Sequence, residues 1–181
     1  RGAAMETAGL QVWTVGHSTH SLEAFLAMLA AHDIEAIADV RRHAGSRKYP
    51  HFNPDALRHA LAQAGVEYVP LPELGGRRPP LADSHNTVWR NPSFRGYADY
   101  METDAFREGI ERLLALARRR RTAIMCAEAV WWRCHRSLIA DYLKVRGVCV
   151  RHILGTGKSE VHPYTPAARI RDGALTYAPD A

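Results

Sequence analysis

The segment from Cys126 to Arg136 concentrates more reactive chemistry than any other part of the chain. It holds two thiols (Cys126, Cys134), a carboxylate (Glu128), an imidazole (His135), two guanidinium groups (Arg133, Arg136) and two indoles (Trp131, Trp132). Glu128 follows an apolar run and has aromatic neighbours. Partial desolvation there suits a carboxylate to general acid or base work. The scaffold alternative is an ion pair from Glu128 to Arg133 or Arg136 that pins the segment. Asp39 has the same standing. It ends another apolar run, where an unpaired charge would be costly, so a partner such as Arg41 is expected. Asp39 and Glu128 on neighbouring strand ends would form a carboxylate pair. Hydrolysis through an oxocarbenium-like transition state uses such a pair to position water and stabilise charge.

The thiols admit two sharper readings. One is a nucleophile acidified by Arg133, Arg136 and His135. The spacing is not the Cys-x5-Arg of phosphate-binding thiolate loops, because residue 132 is Trp. The other is zinc held by Cys126, Cys134, His135 and a remote histidine, although Cys-x7-Cys-His fits no common zinc signature. The plain alternative is thiols that only pack, and the site assignment carries no metal. Trp131 and Trp132 are adjacent in a loop and cannot both be core. Exposed aromatics among arginines suit stacking on bases or a wedge in an opened duplex. The alternative is that one caps the core and the other covers the loop.

The flanking pattern positions this segment. Thr122 to Met125 reads as a buried strand, and Arg136 to Val145 as a helix with Leu138, Ile139, Tyr142 and Leu143 at helical spacing. Strands are also predicted at Leu10–Val15, Ile34–Val40, Val66–Pro70 and Val148–Leu154. Helices follow the Ser21 cap and Pro54, and cover Phe94–Met101 and Asp104–Arg119. Arg169 to Tyr177 reads as a hairpin or edge strand. The alternation predicts a three-layer α/β sandwich, with a mostly parallel sheet of about five strands flanked by helices. In such a sheet every strand's carboxyl end lies on one edge. That edge would gather His17 and Ser18, Asp39, Arg41 and Arg42, Arg77, and the central segment. Gly16-His17-Ser18, opening a helix, would offer free backbone N–H groups to an anion. Arg118 to Arg121 precede a strand, so they fall on the opposite edge as a solvated helix end.

The chain has 181 residues, 46% apolar and 24% charged, which fits a single domain over residues 5–181. Arg1 to Ala4, ahead of Met5, read as a cloning remnant. No apolar run approaches the roughly 20 residues of a membrane span. Three cysteines make no disulfide framework, so a reducing, cytoplasmic setting is expected. The net charge of +5 and pI near 9.4 point to anionic partners, nucleic acid first. No protein partner is implied.

Seven short motifs then carry a resemblance. They are Thr14-Val15-Gly16-His17-Ser18, Asp39-Val40-Arg41, Gly75-Gly76-Arg77, Tyr97-Ala98-x-Tyr100-Met101, Met125-Cys126-Ala127-Glu128, Cys134-His135-Arg136 and His152-Ile153. Together they resemble the bacterial and archaeal family catalogued as domain of unknown function 488, from about Val12 to Tyr177. The resemblance implies a fold and site positions. Its name implies no activity. This chain departs from the family pattern at Ala129-Val130-Trp131-Trp132 and at Arg42-His43-Ala44, which bears on specificity.

The leading expectation is a nucleic-acid-acting hydrolase, most concretely a DNA N-glycosidase (DNA glycosylase) that removes a damaged or modified base. Glu128, Asp39 and His17 are its candidate catalytic residues. Ser18, Arg41, Arg42, Arg77, Trp131, Trp132, Arg133, Cys134, His135 and Arg136 are the candidate substrate contacts. The reaction needs no cofactor. The alternatives are a Cys-dependent hydrolase or transferase of a small anionic substrate, and a non-catalytic nucleic-acid-binding module.

Overall fold

The strand β1 (Gln11–Gly16) lies inside the sheet of the computed structural model, which describes residues 7–180. The predicted remnant at residues 1–4 lies outside the described residues. Helix α1 (Leu22–Ala31) follows, capped by Ser21, whose Oγ accepts from the Ala24 N–H at 3.1 Å. Next come β2 (Ala36–Asp39), α2 (Pro54–Gln63) and β3 (Glu67–Pro70). Helices α3 (Pro92–Tyr100) and α4 (Asp104–Arg119) lead into β4 (Thr122–Cys126). Helix α5 (Arg136–Val145), β5 (Cys149–Gly155) and β6 (Lys158–Val161) complete the main layers. A separate hairpin of β7 (Arg169–Arg171) and β8 (Ala174–Thr176) ends the fold.

The sheet order is β3-β2-β4-β1-β5-β6, parallel throughout except for the antiparallel β5–β6 pair. The sixth strand is the difference from the expected five. Alternate strand residues serve opposite faces. Trp13, Val15, Ile37 and Met125 pack on α1 and α2, where Phe25, Leu29, Leu57 and Leu61 are buried. Val12, Ala38, Ile124 and Val150 pack on the α4 and α5 side. Helix α4 buries Phe106, Ile110, Leu113 and Leu114 completely, each stabilising by about 1.5–3 kcal/mol.

Two features fix the segments between these layers. The long stretch 71–91 is staked to α3 by Asp99, which accepts from the Leu81 N–H, Ser84 Oγ and Asn86 Nδ2. The tail is held by a buried polar chain. Thr14 Oγ1 meets His152 Nδ1 at 2.6 Å, His152 Nε2 meets His162 Nδ1 at 2.8 Å, and His162 Nε2 meets Asp141 at 2.7 Å. Asp141 also accepts from the Thr165 N–H, the Thr165 hydroxyl and the Tyr177 hydroxyl. The arginine run falls on the amino edge, as expected. Arg119 and Arg120 pair with Glu67, and Arg121 lies over the Trp13 ring.

Candidate active site on the carboxyl rim

Because β2, β4 and β1 are neighbours, their carboxyl ends bring Asp39, Cys126 and Gly16 side by side. The rim opens into two cavities. One, of about 320 Å³, is lined by Arg41, Arg42, Arg77, Arg133, Cys126 and Cys134 among others. The second, of about 430 Å³, is lined by His17, Ser18, Ser46 and Tyr49 among others. Arg41, His43, Ala127 and Glu128 belong to both. Glu128 therefore stands at their junction, half-buried. Among the described residues its carboxylate has no hydrogen-bond or ion-pair partner. The ion pair with Arg133 or Arg136 is not formed.

Asp39 is in the opposite condition. It is 2% exposed and accepts from the Arg41 N–H, from Arg41 Nε and Nη2, and from the Tyr68 hydroxyl at 2.6 Å. The expected pairing with Arg41 is present, and it occupies the carboxylate. Asp39 is a positioning residue for Arg41 and has no oxygen left for water. Of the two expected carboxylates, Glu128 alone is free of side-chain partners among the described residues.

His17 is likewise engaged at both nitrogens. Nδ1–H donates to the Ser18 carbonyl at 3.0 Å, and Nε2 accepts from Arg41 Nη1 at 3.3 Å. Its ring stacks on Phe52 at 4.3 Å. Burial lowers its pKa below the ordinary 6.5, with the Arg41 charge adding and the Ser18 bond opposing. His17 thus holds Arg41, with both ring nitrogens already engaged. Arg41 also donates to the Ala44 carbonyl, so this guanidinium is a fixed charge at the cavity junction.

The backbone at Gly16-His17-Ser18 is not an anion cradle. The His17 and Ser18 N–H groups donate to the Cys126 and Ala127 carbonyls, prolonging the β1–β4 ladder. A Cβ at Gly16 would lie 1.8 Å from the Glu128 carbonyl oxygen and 2.9 Å from Arg136 Nη1. Gly16→Ala should therefore push the Glu128 loop off the rim and destabilise the fold by about 1–3 kcal/mol, read as a lower urea midpoint. An unchanged midpoint would show that the loop yields freely. A Cβ at Gly76 would likewise lie 2.8 Å from His135 Nδ1.

Ser18 and Arg77 carry positive φ angles of 48° and 60°. Non-glycine residues held so cost about 1–3 kcal/mol each and cluster at functional loops. Each lines one of the two cavities. Arg42 is exposed and donates to the Arg77 carbonyl, which ties the two arginines together. Arg133 is exposed and unpaired among the described residues.

The two tryptophans divide. Trp131 is 8% exposed, stacks on His152 at 4.5 Å and donates to Glu160. It is a lid on the buried polar chain and is unavailable to a substrate. Trp132 is 54% exposed, with its ring set edge-on to Trp131. Trp89 and Tyr97 also turn inwards. Trp89 packs on Phe94 and Tyr177, and the Tyr97 hydroxyl donates to the Leu74 carbonyl.

Of the next two candidates, His135 lines the first cavity and Arg136 does not. His135 donates Nε2–H to the Val40 carbonyl at 2.9 Å, and burial holds its pKa down to about 4. It is a neutral wall. Arg136 is 1% exposed and lies beneath the cavity, where it faces Cys126. Cys134 lines the cavity beside Cys126, with the two Sγ atoms 2.8 Å apart. Burial raises both thiols. For Cys126, the Cys134 hydrogen bond and the Arg136 charge more than offset it and bring the pKa to about 7. Cys134 stays well above the usual thiol value, through burial and then its neighbour. The zinc set is not assembled: among the described residues no three or more His, Cys, Asp or Glu side chains are placed to hold a metal ion together.

The buried imidazoles give a pH prediction. His152 is pushed down to about 2 by burial, with His162 and Arg136 adding, and His135 to about 4. The unfolded chain therefore binds more protons than the folded one below the ordinary value of 6.5. Stability is complete above that pH and falls as pH drops below it, by roughly 1 kcal/mol per pH unit for each group. The urea midpoint should decline steadily from pH 7 to pH 5. A level midpoint would contradict the burial of these rings as neutral species.

A mostly parallel α/β domain with its cavities at the carboxyl rim is a frame on which many chemistries are built. This chain belongs to the family described as domain of unknown function DUF488, whose model matches residues 21–143. No curated protein and no solved structure matches it. No helix among the described residues is long and apolar enough to cross a membrane.

Proposed function

We propose that the rim is the active site of a nucleic-acid hydrolase, most concretely an N-glycosidase that releases a damaged or modified base from DNA. The observation that carries this reading is the unpartnered Glu128 carboxylate at the junction of two cavities, within a ring of arginines. Arg42, Arg77 and Arg133 hold backbone phosphates. Arg41, held by Asp39 and His17, supplies a charge that does not move. Trp132 stacks on the extruded base or fills the gap it leaves. Glu128 positions water and stabilises the developing sugar cation.

The test is product detection. The protein is incubated with DNA pools carrying natural, alkylated, oxidised and phage-type modified bases, and the products are weighed by mass spectrometry. Free base together with abasic sites supports the reading and names the substrate. Salt-sensitive binding without release supports a binding module instead. A second reading places the chemistry on Cys126, because its thiol pKa is lowered to about 7 and it lines the same cavity. Thiol alkylation would stop that enzyme and spare one that works through Glu128.

A further inference from the structure

Arg136 is an unusual buried charge. Its Nη2 donates to the Ala129 carbonyl at 3.0 Å and its Nη1 to Cys126 Sγ at 3.4 Å, while Nε has no partner. No carboxylate meets it among the described residues. A buried guanidinium without a counter-charge is costly, so the negative charge that balances it is the Cys126 thiolate. Cys134 then donates its proton to that thiolate across 2.8 Å. The second sulfur also accepts from the Arg136 N–H at 3.4 Å, which aims it at the first. Both sulfurs line the open cavity of about 320 Å³, so a small oxidant reaches them. The third thiol, Cys149, starts β5 at the opposite end of the sheet and serves as an internal control.

We propose that Cys126 and Cys134 are a reversible redox pair, oxidised by hydrogen peroxide or a small organic peroxide and reset by a dithiol. The Cys126 thiolate attacks a peroxide oxygen. The O–O bond breaks, and the leaving oxygen takes up a proton to become water (or an alcohol, from an organic peroxide). Cys134 gives up its proton and attacks the sulfenic sulfur of Cys126. The S–S bond forms and a second oxygen leaves as water. With hydrogen peroxide, two thiols become one disulfide and two waters. A dithiol reverses the bridge by exchange, taking the oxidation itself. The reduced state keeps the thiolate–guanidinium attraction and the disulfide loses it. The bridge is therefore more oxidising than a structural disulfide and a small dithiol reduces it. It would also brace the loop that carries Glu128 and Trp132.

This inference needs no nucleic acid and stands or falls apart from the proposed glycosidase. The test treats the purified chain with stoichiometric hydrogen peroxide, blocks free thiols with an alkylating agent and maps the peptides by mass. The expected product is a Cys126–Cys134 bridge lighter by two hydrogens, with Cys149 alkylated. Its rate of formation should rise with a midpoint near pH 7, and dithiothreitol should remove it. In Cys134→Ser the reaction should stop at a Cys126 sulfenic acid that dimedone labels, which keeps the test open if the bridge strains the fold. Alkylation of both thiols after peroxide, oxidation centred on Cys149, or no dimedone label in the variant would overturn the proposal.

Discussion

Glu128→Gln should lower base release by about 10²–10⁴-fold and leave nucleic-acid affinity intact. That range is what a positioned acid or base contributes. The amide keeps the size of the carboxylate and lacks its charge, so it cannot activate water or stabilise a sugar cation. Structural damage is not expected, because no described residue depends on the Glu128 side chain for a hydrogen bond or ion pair. Asp39→Asn makes the instructive contrast. It breaks the double contact with Arg41 and the bond from Tyr68. Its effect should therefore appear in binding and its salt dependence as well as in rate. Single-turnover rates with separately measured affinities distinguish the two. Full activity in Glu128→Gln would remove Glu128 from the mechanism.

Asp141→Ala should cost about 3–5 kcal/mol of stability, because it removes the shared acceptor of four buried hydrogen bonds. The carboxylate is completely buried and faces the His162 ring, the Thr165 N–H and hydroxyl, and the Tyr177 hydroxyl. Removing it strands four donors in a place water does not reach. Three of those donors lie on residues 162–165 and one on Tyr177, so the tail should loosen before the sheet does. Urea denaturation measures the loss, and limited proteolysis should show early cleavage after His162. Asp141→Asn keeps one acceptor and should cost less. Equal stability of the alanine variant would mean that the chain of histidines is incidental to the fold.

The periodic elements were legible and the occupied side chains were not. Asp104–Arg119 and Arg136–Val145 are helices over the ranges their apolar spacing predicts, and the buried strands shift by a residue or two at their ends. The strand Lys158–Val161 escaped because an edge strand needs no apolar face; three of its four residues are exposed. At the site, topology alone predicted that His17, Asp39, Arg77 and Glu128 share one rim. Which groups were free could not be read. Trp131 is taken by His152 and Glu160, and Arg136 by Cys126. The adjacent indoles Trp131 and Trp132 look alike in sequence, and only the fold separates them. The one pairing that was legible, Asp39 with Arg41, spans two residues and follows from the cost of burying a lone carboxylate.

The ends of the sheet have a consequence for association. A sheet grows by adding strands to an edge that still offers backbone donors and acceptors in a flat row. Here β3 is four residues long and ends in Pro70, which has no N–H, while Glu67 at its start is covered by Arg119 and Arg120. The other edge, β6, presents Lys158 and Glu160, and its pairing with β5 is broken by a register shift between Ile153 and Gly155. Both borders resist strand addition, so copies of this chain are guarded against edge-to-edge aggregation.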